Sequence, residues 1–245
     1  MPIIQLNQLT KNYKKETVVD QLDFSVKKGE FFALLGENGA GKTTLISMLS
    51  GTLIPSEGDA TVLGSSILTD MDNIKPVVNI SPQETAIAMR LTVRENLEFI
   101  AGVYGYAKKA AKTKAAEMVE LFHLEEKEKA KAKTLSGGMK RRLNVAMGLI
   151  TDPQIFFLDE PTLGLDVRSR RELWDILERL KGHTTIILTT HYLEEAETIA
   201  DRICILEKGA LKALGTTKEI KQQAQTASFE EAFLTICNGK EDMYA

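Results

Sequence analysis

The sequence predicts an α/β fold in which helices surround a largely parallel, buried sheet. The first observation is a set of short apolar runs, rich in β-branched or aromatic residues, at residues 3–6, 30–35, 155–158, 185–188 and 203–206. The second is that helical patterns lie between these runs. The third is a glycine-rich turn that joins one apolar run to a helical pattern. Strands that alternate with helices are typical of a parallel sheet covered on both faces.

Two of the helices are predicted with clear ends. Residues 42–50 precede Gly51, and residues 168–181 precede Gly182, and a glycine at this position commonly ends a helix. Farther along, Lys208-Gly209 predicts a hairpin turn, and another helix is expected from about Thr217.

The middle of the chain has a different pattern. Residues 84–152 contain no convincing strand, and residues 107–133 are rich in Ala, Lys and Glu with a few apolar positions. This composition predicts helix with a solvated charged face, and the balance of Lys against Glu disfavours a nucleic-acid patch. We therefore expect a helical segment, residues 84–152, inserted into the α/β core.

Composition and charge exclude several classes of protein. The 245 residues are 43% hydrophobic and 27% charged with a net charge of −3, which is typical of a globular protein and gives no overall basic field for nucleic acid. Cys204 and Cys237 are too few for a disulfide framework, and the apolar surroundings of Cys204 predict a buried reduced thiol. Without a secretory leader or a long apolar span, we expect a cytoplasmic protein that another chain holds at any membrane.

The glycine-rich turn fits the pattern G-x-x-x-x-G-K-[ST] and lies between a predicted strand and a predicted helix. Glycines let backbone N–H groups surround a phosphate, and the helix N-terminus adds positive partial charge. We expect Lys42 to reach the β- and γ-phosphates and the Thr43 hydroxyl to bind Mg²⁺. The alternative interpretation is that the glycine-rich pattern is a turn that arose by chance and binds no phosphate. The predicted nucleotide-binding residues here are Gly36, Glu37, Asn38, Gly39, Ala40, Gly41, Lys42, Thr43 and Thr44.

Two acidic residues follow the apolar run 155–158. The carboxyl ends of parallel strands are where α/β sheets place ligands, so Asp159 is a candidate Mg²⁺ ligand and Glu160 a candidate general base. A solvated turn before Pro161 is the alternative interpretation, and the phosphate loop favours the functional one.

A third motif, Leu135-Ser136-Gly137-Gly138-Met139, precedes Asp159 and opens a predicted helix over residues 140–150. Together the three motifs resemble the nucleotide-binding subunits of ATP-binding-cassette (ABC) transporters, whose signature is LSGGQ. Four further positions match that family in order, namely Tyr13, Gln83, the loop 163–166 that ends in Asp166, and His191. Met139 departs from the family's glutamine, which puts the hydrolysis rate and the coupling to the partner in question.

The resemblance implies a single cassette over residues 1–245. It implies a P-loop NTPase (RecA-like) core with a mostly parallel sheet, an N-terminal antiparallel β subdomain and an inserted α-helical subdomain at 84–152. It implies that Tyr13 stacks on adenine, that Gln83 senses Mg²⁺ and the attacking water, and that His191 contacts the γ-phosphate.

The family's arrangement also implies a homodimer, or a heterodimer with a related cassette, that holds two ATP molecules between its chains. Ser136, Gly137 and Gly138 of one chain would then contact the γ-phosphate bound by the other. The resemblance also implies that Asp166, in the short loop after the two acidic residues, belongs to the nucleotide-binding site. A separate transmembrane permease subunit is the implied partner, and the cassette would lie on the cytoplasmic face of the cell membrane.

The end of the chain, with no room for a long regulatory domain, resembles single-cassette bacterial exporters more than importers. A soluble ABC ATPase of DNA repair, translation or cofactor assembly remains as an alternative, as does a non-hydrolysing regulatory module. A GTPase is disfavoured because the sequence lacks N-K-x-D.

Overall fold

The computed structural model describes residues 2–84 and 86–238. Its strands are β1 (Pro2–Tyr13), β2 (Glu16–Leu22), β3 (Ser25–Lys27), β4 (Phe31–Leu35), β5 (Glu57–Val62), β6 (Ser65–Ser66), β7 (Val78–Ser81), β8 (Ile155–Asp159), β9 (Thr185–Thr190), β10 (Arg202–Glu207) and β11 (Ala210–Gly215). Its α-helices are α1 (Lys42–Leu49), α2 (Met71–Ile74), α3 (Val93–Val103), α4 (Lys108–Leu121), α5 (Gly137–Leu149), α6 (Val167–Glu178), α7 (Leu193–Ile199), α8 (Thr217–Ala224) and α9 (Phe229–Asn238).

The larger sheet has six strands in the order β11-β10-β4-β9-β8-β7, and every pairing except β10 with β11 is parallel. Its four inner strands are those predicted from the apolar runs after residue 30, so the parallel core is confirmed. Neighbouring Phe31 and Phe32 pack into different apolar clusters on the two faces of the sheet. A sheet buried on both faces explains why its strands are almost uniformly apolar.

The N-terminal sheet is antiparallel, as expected, and β1 is its centre. β1 pairs with β2, β3 and β5, and β5 pairs with β6. The predicted strand at residues 3–6 is only the first part of β1. Leu6 from this sheet, Ile46 from α1 and Phe157 from β8 lie in one buried cluster, so α1 packs between the two sheets.

Helices α3, α4 and α5 follow one another between β7 and β8, where helix was expected. The predicted helix over residues 107–133 was wrong beyond Leu121. His123 adopts a left-handed φ of 50°, and the Leu124 N–H bonds to the Val119 carbonyl oxygen at 2.9 Å, which is a Schellman ending without the usual glycine. Two 3₁₀ helices, Glu125–Lys127 and Ala132–Thr134, continue the chain.

The expected hairpin at Lys208-Gly209 is confirmed between β10 and β11, and both turn residues have positive φ. Helix α8 begins at Thr217 behind a capping box of Thr216 and Glu219. Helix α6 ends at Glu178, three residues before the predicted end. In the part of the chain that the structure describes, no helix has the length and apolar character needed to cross a bilayer.

Candidate functional site

The phosphate-type loop joins β4 to α1 at the carboxyl edge of the parallel sheet. A Cβ atom at Gly36 would lie 2.3 Å from the Leu206 carbonyl oxygen, and one at Gly41, where φ is 97°, would lie 2.5 Å from the Val18 carbonyl oxygen. Only glycine fits these two positions, because the neighbouring backbone leaves no room for a side chain. The loop is therefore fixed tightly against β2 and β10.

Lys42 begins α1 and places its ammonium group inside the curve of the loop. Its Nζ donates to the carbonyl oxygens of Gly36 at 2.7 Å and Glu37 at 3.0 Å. Burial lowers the pKa of Lys42, and the nearby carboxylates of Glu160 and Asp159 oppose that shift. A cation and a helix N-terminus thus face the same space, which is the electrostatic arrangement that binds phosphate.

Asp159 ends β8 and is held by two hydroxyl groups. Its Oδ1 accepts from Thr189 Oγ1 at 2.5 Å and from Thr43 Oγ1 at 3.2 Å. The Thr43 contact joins the phosphate loop to the carboxylate strand although the two residues are far apart in sequence. Thr189, from the neighbouring strand β9, was not predicted as a site residue.

Glu160, the next residue, has a left-handed backbone with φ 46°. Its N–H donates to Thr189 Oγ1 at 3.0 Å, and its Oε1 lies 3.7 Å from Lys42 Nζ and 3.3 Å from His191 Nδ1. A non-glycine residue rarely adopts this conformation, and such strain is often found at functional sites.

His191 follows β9 directly, and its ring lies next to the Glu160 carboxylate. Although its Nδ1 is 3.3 Å from Glu160 Oε1, the alignment is outside hydrogen-bond geometry. Within residues 2–84 and 86–238, this buried nitrogen has no other partner. A buried polar atom of this kind is costly unless a further group satisfies it.

These segments surround a cavity of about 390 Å³ whose walls mix backbone N–H groups, charged side chains and a few apolar groups. The lining residues are Val18, Asn38, Gly39, Ala40, Gly41, Lys42, Thr43, Thr44, Gln83, Glu160, Leu163 and His191. The structure therefore brings together residues 38–44 of the predicted phosphate loop, Glu160, His191 and Gln83. Leu163 belongs to the predicted loop 163–166, whereas Val18 was not predicted, because an aliphatic side chain carries no signal for phosphate chemistry.

Gly36, Glu37 and Asp159 do not line this cavity themselves, but Asp159 bonds to its lining residue Thr43, and Gly36 and Glu37 accept from Lys42. Three further predicted elements lie outside it. The Tyr13 ring is 46% exposed at the end of β1 and lies 5.3 Å from Lys11 Nζ. Ser136 caps α5 by accepting from the Met139 N–H at 3.2 Å, and Asp166 caps α6 by accepting from the Ser169 N–H at 2.9 Å. The roles expected for these residues remain predictions.

The signature turn and the Asp166 loop pack against each other within the chain. A Cβ atom at Gly138 would lie 2.4 Å from Ser169 Oγ, and that hydroxyl donates to Asp166 Oδ2 at 2.8 Å. Gly138 is thus required for the close approach of α5 to the beginning of α6.

The site fits a magnesium ion bound with a nucleotide. Thr43 Oγ1 and Asp159 Oδ1 are 3.2 Å apart, and Gln83 lines the same cavity as Thr43. Among the described residues no three His, Cys, Asp or Glu side chains form a cluster that could hold a metal. Mg²⁺ typically uses one or two protein oxygens and completes its shell with substrate phosphates and water, so this donor set is suitable.

This chain is similar to proteins of one known family. The family profile described as ABC transporter matches residues 19–163. The linearmycin resistance ATP-binding protein LnrL of Bacillus subtilis is 40% identical over 241 residues, which are 95% of this chain and 78% of that protein. The Nod factor export ATP-binding protein I of Ralstonia nicotianae is 40% identical over 220 residues, 89% of this chain and 68% of that protein.

A solved structure described as the ATP binding subunit of an ABC transporter superposes with a TM-score of 0.84 at 28% identity, and covers 96% of this chain and 99% of that chain. Neither named relative is described as a protein of DNA repair, translation or cofactor assembly. With the profile match, the two relatives and the shared fold, the chain belongs to the ABC transporter family and is an ATP-binding, ATP-hydrolysing subunit of such a transporter.

Proposed function

We propose that ATP is hydrolysed in the cavity formed by the phosphate loop, Glu160 and His191. The observation that carries this proposal is the convergence of Lys42 Nζ and His191 Nδ1 on Oε1 of Glu160, at 3.7 and 3.3 Å. The backbone N–H groups of residues 36–44 and the Lys42 ammonium bind the triphosphate, and these contacts orient the γ-phosphate toward Glu160.

Glu160 acts as the general base for the attacking water, and His191 contacts the γ-phosphate. The phosphate oxygens compete with Glu160 for the Lys42 ammonium, so the bound nucleotide loosens the Lys42–Glu160 ion pair and leaves the carboxylate free to accept a proton. His191 then satisfies its unpartnered Nδ1 or donates from its other nitrogen, depending on its tautomer.

Thr43, Asp159 and Gln83 are the proposed Mg²⁺ ligands. When bound, Mg²⁺ neutralises charge on the β- and γ-phosphates. Asp159 is kept in place for this role by the Thr189 hydroxyl, which fixes the carboxylate before any metal arrives.

The complete site is proposed to need a second cassette, either another copy of this chain or a related one. The Ser136 hydroxyl, the N–H groups of Gly137 and Gly138 and the N-terminus of α5 form an anion-binding group that does not line the cavity of its own chain. In a head-to-tail dimer this group binds the γ-phosphate held by the partner. Asp166, in the loop that follows Glu160, belongs to the nucleotide-binding site, and Tyr13 stacks on the adenine.

Residues 84–152 are proposed as the subdomain of this single cassette that contacts a transmembrane permease. Phe99, Val103 and Tyr104 are each more than half exposed at the end of α3. Phe99 and Val103 are four positions apart and so share one side of α3, which presents an apolar surface there. A permease segment that covers this surface holds the cassette on the cytoplasmic face of the membrane.

The transport direction is proposed to be export. One relative is named for linearmycin resistance and the other for Nod factor export, and outward transport of a compound accounts for both names.

The test is purification of the tagged full-length chain from detergent-solubilised membranes, with mass spectrometry of its partners and a phosphate-release assay. We expect a polytopic membrane protein in the complex and Mg²⁺-dependent release of phosphate from ATP in preference to GTP. Recovery of only nucleic acid or ribosomal proteins would contradict the transporter assignment. A complex that cannot release phosphate would contradict the catalytic one.

A further inference from the structure

Arg141 is a buried cation on α5, five residues after Ser136. Among the described residues, its hydrogen bonds go to backbone oxygens and not to the side chains proposed to act on ATP. Its side chain is almost fully buried, and its guanidinium donates to four backbone carbonyl oxygens. Burial lowers the pKa of Arg141 to about 10, and the nearby carboxylate of Asp159 opposes that shift, so the group is cationic at neutral pH.

The four carbonyls belong to two segments of the active site. Nε donates to Pro161 O at 2.6 Å and Nη2 to Asp159 O at 2.9 Å, so the guanidinium bonds to the backbone on both sides of Glu160. Nη1 donates to Pro82 O at 2.9 Å and Gln83 O at 3.1 Å. One planar group therefore fixes the distance between the Gln83 loop and the carboxylate turn.

The bonds on either side of Glu160 matter because that residue is strained. A φ of 46° costs free energy for a residue with a Cβ atom and persists only where surrounding contacts enforce it. Thr189 holds the Glu160 N–H, and Arg141 holds the two flanking carbonyls. Without Arg141, the turn keeps its Thr189 contact and the bond from the Leu163 N–H to the Glu160 carbonyl oxygen at 3.2 Å, but it loses both bonds to the flanking carbonyls.

Asn144, one helical turn farther along α5, extends the same contact. Its Nδ2 donates to Ser81 Oγ at 3.0 Å, and its Oδ1 accepts from the Ala86 N–H at 3.2 Å. Arg141 and Asn144 are three positions apart and so lie on one face of α5. The helix that begins at Ser136 is thereby joined to the backbone on both sides of Gln83.

We infer that Arg141 is a positioning residue for ATP hydrolysis, which holds the strained Glu160 turn and sets the separation of Gln83 from Asp159. This inference rests on the proposed roles of those three residues. A lysine at position 141 keeps the charge but offers a single nitrogen, which cannot donate along the directions of all four carbonyls. The role therefore depends on the shape of the guanidinium as well as on its charge.

The test compares Arg141→Lys and Arg141→Met with Arg142→Met in the full-length chain. Arg142 is the matched control because it is the next residue of α5, is buried, and pairs with Glu172 Oε2 at 3.4 Å. The measurements are kcat and KM for MgATP, the nucleotide Kd with and without Mn²⁺ as the metal probe, and the melting temperature.

We expect both Arg141 variants to lose at least tenfold in kcat while the metal-free nucleotide Kd stays within twofold, because the phosphate loop is untouched. We also expect the Mn²⁺ concentration needed for half-maximal tightening of nucleotide binding to rise at least fivefold. Arg142→Met should change neither quantity by more than twofold, whatever its melting temperature.

A kcat within twofold of the parent in either Arg141 variant would overturn the inference, as would equal losses in Arg142→Met at an equal melting temperature. If Arg141→Met does not fold, Arg141→Lys decides by the same criteria. A parent chain that binds MgATP without hydrolysing it would instead count against the proposed function, and the Mn²⁺ measurement would still decide the role of Arg141.

Discussion

The ammonium nitrogen of Lys42 lies 3.7 Å from Oε1 of Glu160, and both side chains are at most one-tenth exposed. The cation proposed to bind phosphate and the carboxylate proposed to activate water are therefore partners before any nucleotide arrives. Removing either partner leaves the other charge buried without its counterion. Because the two residues have different proposed roles, substitution of Lys42 should change nucleotide binding and substitution of Glu160 should change turnover.

Glu160→Gln should abolish turnover and preserve nucleotide binding. The amide cannot accept a proton from water, so we expect the loss of about 10²–10⁴-fold in rate that is typical when a general base is removed. ATP-bound dimers should accumulate and be detectable by size-exclusion chromatography. Glu194→Gln, at an exposed position on α7, is the control for a lost carboxylate. Normal steady-state hydrolysis by Glu160→Gln would refute the assignment of the base.

Lys42→Ala should weaken the binding of ATP. Each charge-assisted hydrogen bond to phosphate contributes about 1.5–3 kcal/mol, so the dissociation constant should rise about 10–100-fold. Isothermal titration calorimetry measures this, with Lys212→Ala on the β11 hairpin as the control. An unchanged dissociation constant would show that the ammonium does not contact the nucleotide.

Gly138→Ala should destabilise the fold because the new methyl group would lie 2.4 Å from Ser169 Oγ. We expect a loss of about 1–3 kcal/mol, as for other overpacked sites, measured by urea unfolding. Gly137→Ala has open space around its Cβ and should not lower stability. The double variant Gly138→Ala/Ser169→Ala should recover part of the loss, and a double variant no more stable than Gly138→Ala would exclude this contact as the cause.

Phe99→Glu should separate the cassette from its membrane partner without unfolding it. The ring is 59% exposed, so the substitution removes little buried area from the isolated chain and places a charge in the apolar surface proposed for the permease. The measurement is the amount of cassette that co-purifies with membranes, and Glu98→Gln, one residue earlier on α3, serves as the control. Undiminished co-purification would place the partner on another surface.

Alkylation should distinguish the two thiols. Burial raises the pKa of Cys204 far above its usual range, and burial also raises the pKa of Cys237 to about 11. Because only the thiolate reacts, about one part in a thousand of Cys237 is reactive at pH 8, and its labelling by iodoacetamide should increase about a hundredfold by pH 10. Cys204 should react only after unfolding in urea. Rapid labelling of Cys204 in the folded protein would contradict the burial of this strand.

The parallel sheet and the phosphate loop could be predicted from the sequence because both have local signals. Strand β8 is an uninterrupted apolar run that ends in two acids, and the loop pattern requires glycine at fixed positions. The N-terminal sheet was harder to predict in detail. Strand β5 contains Glu, Gly and Asp and exists as a strand because β1 pairs with it, so its preference comes from tertiary contacts and not from composition.

The contacts that hold the site together could not be predicted from the sequence, because they too depend on tertiary structure. Thr189 Oγ1 reaches Asp159 from 30 positions away, and Arg141 reaches Pro82 from 59 positions away. Only the folded sheet brings such positions together. The left-handed backbone of Glu160 also had no local signal, because a glutamate before proline does not predict positive φ.

The route of the chain between β7 and β8 has a consequence for folding. These strands are neighbours, yet residues 82–154 separate them, so their pairing must wait for a long loop to close. Helices α3 and α4 can collapse on contacts that are close in sequence, whereas Gln83 and Asp159 meet only when the two strands align. Tight nucleotide binding should therefore develop late during refolding, after most of the helical signal in circular dichroism has returned.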